Sequence, residues 1–138
     1  MLEKIRSFQP YMLSILRVVV AFVFLLHGVQ KFGFLDGMDR RGGTAGKVAG
    51  VPSMLWAAGY VETIGGPLVL VGLFTRPVAF ILAGEMAVGY FRTHFPQGWW
   101  PLTNGGEEAV FYCFLYLYLV TAGGGPWSLD ALLWKKKD

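Results

Sequence analysis

Cysteine is almost absent. Cys113 stands alone in 138 residues, so no internal disulfide can form, and without a C-x-x-C pair a self-contained dithiol shuttle is excluded. Cys113 reads as a small apolar filler on a helix. Charge is scarce too, at 15% of residues, and the excess cations are split between the ends of apolar runs rather than gathered on one face. That pattern argues against nucleic-acid binding. No metal-ligand spacing, phosphate loop or nucleophile motif occurs, so the chain holds no self-contained catalytic motif. There is no internal repeat and no low-complexity tail, and residues 1–138 read as one domain.

What is present is apolar. Hydrophobic residues make up 54% and aromatics 16% of the chain, a membrane composition rather than that of a soluble core. Four apolar runs, at 11–34, 53–74, 76–95 and 106–123, each approach the ~20 residues that a spanning helix needs. They occupy nearly the whole chain and leave no room for a soluble domain. The expected fold is all-α, an integral membrane four-helix bundle with a short C-terminal interfacial helix.

The punctuation is consistent with that order. The amino-terminal residues are too mixed in charge for a secretory leader, so the first run is expected to be retained. Residues 36–50 are polar and glycine-rich and read as an external loop. Ser53 opens the second run. In G-L-F-T-R-P at 72–77, glycine can end one helix, Thr75 can cap the next, and Pro77 suits its first turn. After His94 a segment rich in Pro, Gly and Trp cannot be helical throughout. Asn104 and Glu107 have capping-box spacing, which predicts the fourth start. Three glycines and a proline then stop the helix, and a short amphipathic segment begins at Ser128, with Trp127 and Trp134 expected at headgroup level. Lys4, Arg6, Arg76 and Lys135 to Lys137 fall on one side of an even number of spans. The positive-inside rule makes that side cytoplasmic, while Arg40, Arg41 and Lys47 in the opposite loop oppose it.

Ionisable groups inside the runs are the informative feature. Glu62 lies near the middle of the second run and Glu85 near the middle of the third, while the first carries Arg17, His27 and Lys31. Such groups cost about 2.5–3.5 kcal/mol at a span centre when unpaired, so they face a bundle interior and mark functional-site candidates. At ~1.5 Å per residue, Arg17 sits roughly 7 Å to one side of mid-membrane and His27 roughly 7 Å to the other. Arg17, Phe24, Gly28 and Lys31 share one helix face, with His27 at its edge. Arg17 with Glu62 and His27 with Glu62 are the competing pairs, and the first would serve equally well as a structural clamp. Glu85 reads as one of a titrating pair with Glu62 or as a carboxyl making a single interhelical hydrogen bond. Arg92, His94, Glu107 and Glu108 fall in the outer third. Glu107 also reads as a cap, and Lys31, Arg76 and Arg92 as snorkelling cations. Gly59, Gly65 and Gly66 permit close packing beside Glu62, and Pro67 should kink the helix there. His27 and His94 raise the idea of a bis-imidazole haem, disfavoured because their depths differ by roughly a helical turn.

Several motifs together resemble one family. R-V-V-V-A-F-V-F-L-L-H-G-V-Q-K-F at 17–32, G-Y-V-E-T-I-G-G-P-L-V-L-V-G-L-F-T-R-P at 59–77, N-G-G-E-E-A-V at 104–110 and W-S-L-D at 127–130 resemble the DoxX family of prokaryotic four-helix membrane proteins. The resemblance implies a helical bundle in the cytoplasmic membrane, multi-pass, with both termini cytoplasmic. Some relatives are small subunits of quinone-linked oxidoreductases, including thiosulfate:quinone enzymes, or partners of oxidative-stress proteins. The family's motif positions map to Arg17, His27, Lys31, Glu62, Arg76, His94 and Glu107. The paired cysteines of some redox-associated relatives are missing here.

The expectation is therefore a quinone-interacting or accessory subunit of a membrane oxidoreductase complex, with Glu62, His27 and Lys31 carrying the chemistry. Arg17, His94, Glu107, Glu85 and Arg92 would bind the cofactor, a quinone rather than haem. The expected partners are the lipid bilayer and either other subunits or further copies of the chain. The alternatives are a small proton-coupled transporter or channel working through Glu62, Glu85 and a broken helix, and a scaffold that anchors a peripheral enzyme.

Overall fold

The computed structural model describes residues 2–32 and 53–134. Among them there is no strand. The order is α1 (Leu2–Lys31), α2 (Ser53–Val71), α3 (Thr75–Gly89), a π turn (Tyr90–His94), a 3-10 turn (Phe95–Gln97), α4 (Pro101–Asn104), α5 (Glu107–Ala122) and α6 (Leu129–Leu133). The all-α expectation holds. The glycine-rich loop expected at 36–50, with Arg40, Arg41 and Lys47, lies outside the described residues, as do Lys135 to Lys137.

Neighbouring long helices run antiparallel. Arg17 reaches Val69 and Leu70 while Lys31 meets Glu62, so rising numbers along α1 meet falling numbers along α2. The α3 and α5 helices pair in the same sense, with Arg76 at Val120 and Tyr90 beside Gly106. Phe24 of α1 packs edge-on against Tyr112 and Tyr116 of α5, with ring centroids 5.0 Å apart in both cases. The buried apolar core is thin. Val20, Ala21 and Phe24 from α1, Val69 from α2, Ala79, Leu82 and Ala83 from α3, and Tyr116 and Leu119 from α5 make it up.

The polarity is inverted relative to a water-soluble domain. Ser14, Arg17, Glu62, Thr75, Asn104 and Ser128 are buried, while large apolar side chains face out from each long helix: Phe22 is 52% exposed, Ile64 62%, Phe80 64% and Phe114 67%. Contiguous apolar surface of this kind marks a contact with lipid or protein.

The spans differ from expectation in length. The α1 helix has 30 residues, beginning at Leu2 rather than at residue 11. Among the described residues it is the one helix long and apolar enough to cross a membrane by itself, and Ala57–Val71 is a shorter apolar stretch. The α3 helix has 15 residues and α5 has 16. Each is cut short by glycine or by a change of helical pitch: α3 passes into the π turn, and Gly106 and Gly123 bound α5. The α2 helix continues through Pro67 without a break, because a proline removes one rung while its neighbours hold the helix.

The turn between α2 and α3 is closed from a distance. Gly72 takes a φ of 72° and ends α2 as its sequence implied, but Phe74 also adopts a left-handed φ of 50°. A bulky residue there costs of order 1–3 kcal/mol and needs support. Thr75 does not cap α3. Asp130 does so instead, accepting from Phe74 N at 2.7 Å and Thr75 N at 2.8 Å, while its own N–H donates to Gly72 O at 2.8 Å. The short α6 is held in place by Ser128, whose side chain accepts from Ala131 N at 3.1 Å. Asp130→Ala is expected to lower stability by about 1–2 kcal/mol, the usual scale for a lost N-cap, and Asp130→Asn by less because one acceptor remains. Thermal melts of the purified protein check this, and an unchanged Asp130→Ala midpoint would remove the cap's role.

Candidate functional site

Arg17 is fully buried and spends its donors on backbone. Its Nε donates to Gly124 O at 2.8 Å, Nη1 to Val69 O at 2.7 Å and also to Leu70 O, and Nη2 to Trp127 O at 2.6 Å. The pair with Glu62 is not made. In the observed register Glu62 faces Gly28, 11 residues beyond Arg17, or about 16 Å along the helix. Arg17 is thus a clamp on the last turn of α2 and on the glycine turn before α6. Arg76 behaves similarly: Nη1 donates to Val120 O and Thr121 O, both at 2.6 Å, and so caps the C-terminus of α5 rather than snorkelling.

The partner of Glu62 is Lys31, whose Nζ donates to Oε1. The pair is asymmetric, with the Glu62 side chain 2% exposed and that of Lys31 27%. Gly28 makes the meeting possible. A Cβ added there would lie 2.9 Å from Glu62 Cβ and 3.1 Å from the Thr63 amide, so only glycine lets α1 and α2 approach this closely. Oε2 of Glu62 is buried without a hydrogen-bond partner, as are both carboxyl oxygens of Glu85 and the Tyr116 hydroxyl. Native interiors carry few such groups, and each calls for a missing ligand or water.

Glu62 and Glu85, though not Tyr116, line a cavity of about 410 Å³. His27, Lys31, Glu62, Glu85, His94 and Glu108 line it, against an aromatic and apolar wall that includes Phe24, Met86 and Tyr112. Four helical elements contribute, and each supplies residues at helical spacing: 24, 27 and 31 from α1, 58 and 62 from α2, 85, 86 and 89 from α3, and 108, 109 and 112 from α5. The π turn places Thr93 and His94 on the same wall, a common use of that irregularity. His94 Nδ1–H donates to Asn104 O at 3.1 Å, which orients the ring, and the ring stacks on Tyr90. His27 meets the edge of Tyr112 at 5.9 Å.

Of the site residues expected from sequence, Glu62, His27, Lys31, Glu85 and His94 converge on this cavity. Arg17 does not, for the register reason given above. Glu107 is exposed in the first turn of α5 and does not line the cavity, whereas Glu108 does, since one residue turns the side chain by 100°. Arg92 is exposed and belongs to a neighbouring groove. The capping box at Asn104 and Glu107 is absent. Asn104 instead accepts from Gly106 N at 2.8 Å and donates to Gly98 O at 2.8 Å, bracing the segment that follows His94. Sequence reasoning missed Tyr112, although its i+4 spacing from Glu108 carried the signal. It also gave no role to Asp130, whose place in the W-S-L-D motif at 127–130 was the available signal. Among the described residues no group of three or more His, Cys, Asp or Glu is placed to hold a metal ion.

Comparison with known proteins adds a lineage to this geometry. Residues 12–95 match the DoxX family. The chain belongs to that family. A Haemophilus influenzae protein, whose name assigns it no function, is 42% identical over 98% of this chain and 100% of its own length. A Mycobacterium tuberculosis protein named as a membrane protein is 30% identical over 88% of this chain and 80% of its own. A Bacillus subtilis protein named "Putative oxidoreductase CatD" is 37% identical over 89% of this chain and 87% of its own. No solved structure matches. This DoxX chain is accordingly a membrane protein in contact with the lipid bilayer.

Proposed function

We propose that this DoxX chain is a four-span subunit of a prokaryotic cytoplasmic-membrane oxidoreductase complex, with both termini cytoplasmic, and that its central cavity takes the head of a quinone. The observation that carries this reading is the buried Lys31–Glu62 pair beside unpartnered carboxyl oxygens of Glu62 and Glu85 in a cavity with aromatic walls. Its volume lies in the ~300–1,000 Å³ range of small-molecule sites. A relative bearing an oxidoreductase name supports the same direction. The outward-facing Phe22, Ile64, Phe80 and Phe114 support four lipid-facing helices, with the π turn and terminal loops extending the shorter ones toward the interfaces.

The residues fit such a ligand. A quinone supplies two-electron, two-proton chemistry, with electrons delivered by a partner subunit. Lys31 has donors left after serving Glu62 and can hold one carbonyl oxygen, and His27 or His94 can serve the other. Glu62 and Glu85 can pass protons along the buried edge of the cavity. Among the described residues α2 continues through Pro67, so it does not supply the interrupted helix that a transporter reading placed there.

Equilibrium binding of a tailless quinone to the purified protein in nanodiscs tests the reading. Saturable binding is expected, with Glu62→Gln weakening it about tenfold, or roughly 1.4 kcal/mol. Absence of saturable binding to the unaltered protein ends it.

A further inference from the structure

We propose that the groove between α2 and α3 holds the isoprenoid tail of the quinone whose head lies in the cavity, so that the ligand enters sideways from the bilayer. This rests on the quinone reading above. The groove encloses about 620 Å³ and is walled by Ala57, Val61, Ile81 and Val88. It is not separate from the cavity: Ala58, Glu85, Gly89 and Thr93 line both. The unpartnered Glu85 carboxyl lies where the two join, Arg92 and Thr93 line the groove beyond Val88, and Ala57, Val61, Ile81 and Val88 supply its apolar wall. From Ile81 to Val88 the helical rise gives an apolar length of about 10 Å, enough for about two isoprene units.

Two glycines distinguish this groove from a packing seam. A Cβ added at Gly28, Gly65 or Gly66 would meet another helix within 3.3 Å, so those glycines serve close packing. At Gly84 and Gly89 it would meet nothing within 4 Å, and neither residue has a positive φ. Each costs about 1 kcal/mol of helix propensity relative to alanine with no return in packing or backbone freedom. What their missing side chains leave is the open groove. An occupant must offer a polar head to Glu85 and to the buried Oε2 of Glu62, and an apolar body to the groove, which describes one amphiphile rather than a second copy's helix.

The test uses a quinone with a photoreactive diazirine in its first isoprene unit, bound to the full chain in nanodiscs, with the cross-linked peptides located by mass spectrometry. Labelling is expected at 57–61 and 81–92, and excess tailless quinone should suppress it, which bulk phospholipid acyl chains would not allow. Gly84→Leu, which fills the groove without touching the cavity, should cut that labelling at least tenfold while tailless quinone still binds. Gly84→Ala, whose methyl group reaches no neighbour, should label as the unaltered chain does. Competable labelling confined to α1 and α5 overturns the groove but leaves the quinone reading standing. No competable labelling anywhere overturns both. If Gly84→Leu keeps its labelling and instead lowers the oligomeric mass, the groove joins two copies and the inference fails.

Discussion

Arg17→Met is expected to be the most damaging single substitution in this chain. The guanidinium makes its hydrogen bonds to the carbonyls of Gly124 and Val69 in the interior and to those of Leu70 and Trp127 at its partly buried edge. Hydrogen bonds from a charged donor are worth about 1.5–3 kcal/mol each. They are not additive, but removal of four together should cost upward of about 4 kcal/mol, because the carbonyls of Leu70, Gly124 and Trp127 lose their charged donor, while Val69 O keeps only the Gly72 N–H at 3.0 Å. Methionine preserves volume, so the loss would be electrostatic rather than a cavity effect. Arg17→Lys should be intermediate, since one ammonium cannot address acceptors spread over α2, the glycine turn and Trp127. Thermal melts in detergent, read by light scattering, should show Arg17→Met at least about 10 °C below the unaltered protein. A coincident melt would mean that the clamp holds nothing.

The second large effect is expected at Lys31. Lys31→Met leaves the Glu62 carboxylate, 1% exposed, without its cation, and breaking a buried pair from one side costs about 3–5 kcal/mol. Adding Glu62→Gln should return most of that loss, because no uncompensated charge remains. The double variant thus separates two roles. If the pair is only structural glue, the repaired protein should bind a tailless quinone as well as the original does. If the pair forms the head site, stability should recover while binding stays at least tenfold weaker. A double variant no more stable than Lys31→Met alone would contradict the pairing itself.

Both effects depend on partner choices that the sequence leaves open. Spacing along α1 favoured Arg17 or His27 as the partner of Glu62 and left Lys31 as a cation near the helix end, and the structure chooses Lys31. The choice falls to Lys31 because Gly28 lets α1 touch α2 at Glu62, and rigid helices in that register carry Arg17 about three turns away. Glu107 and Glu108 are equally acidic neighbours, and only the rotation of α5 against α1 puts the second on the cavity. Asp130 gave no local hint of its role, since the amides it caps lie more than fifty residues earlier in the chain. The π turn was illegible for a related reason: a one-residue widening leaves no compositional trace in Y-F-R-T-H.

Other features were legible because they are local. Apolar runs of helical length make an all-α chain unavoidable where the backbone must satisfy itself. Gly72 and Gly123 end helices at φ values of 72° and 82°, which other residues resist. A mid-run Glu62 and Glu85 were expected to face inward because exposure to hydrocarbon is costly, and both line the cavity, Glu62 paired with Lys31 and Glu85 with neither carboxyl oxygen hydrogen-bonded. Sequence alone therefore determined the helical class and the face of α1 that carries His27 and Lys31. Tertiary structure alone decided which charges meet, which carboxyl oxygens stay unpartnered and where the cavity opens. The division follows from range: periodicity and helix breaking act within a turn or two, whereas pairing depends on the register of stiff rods, which a single glycine such as Gly28 sets from the opposite side of the contact.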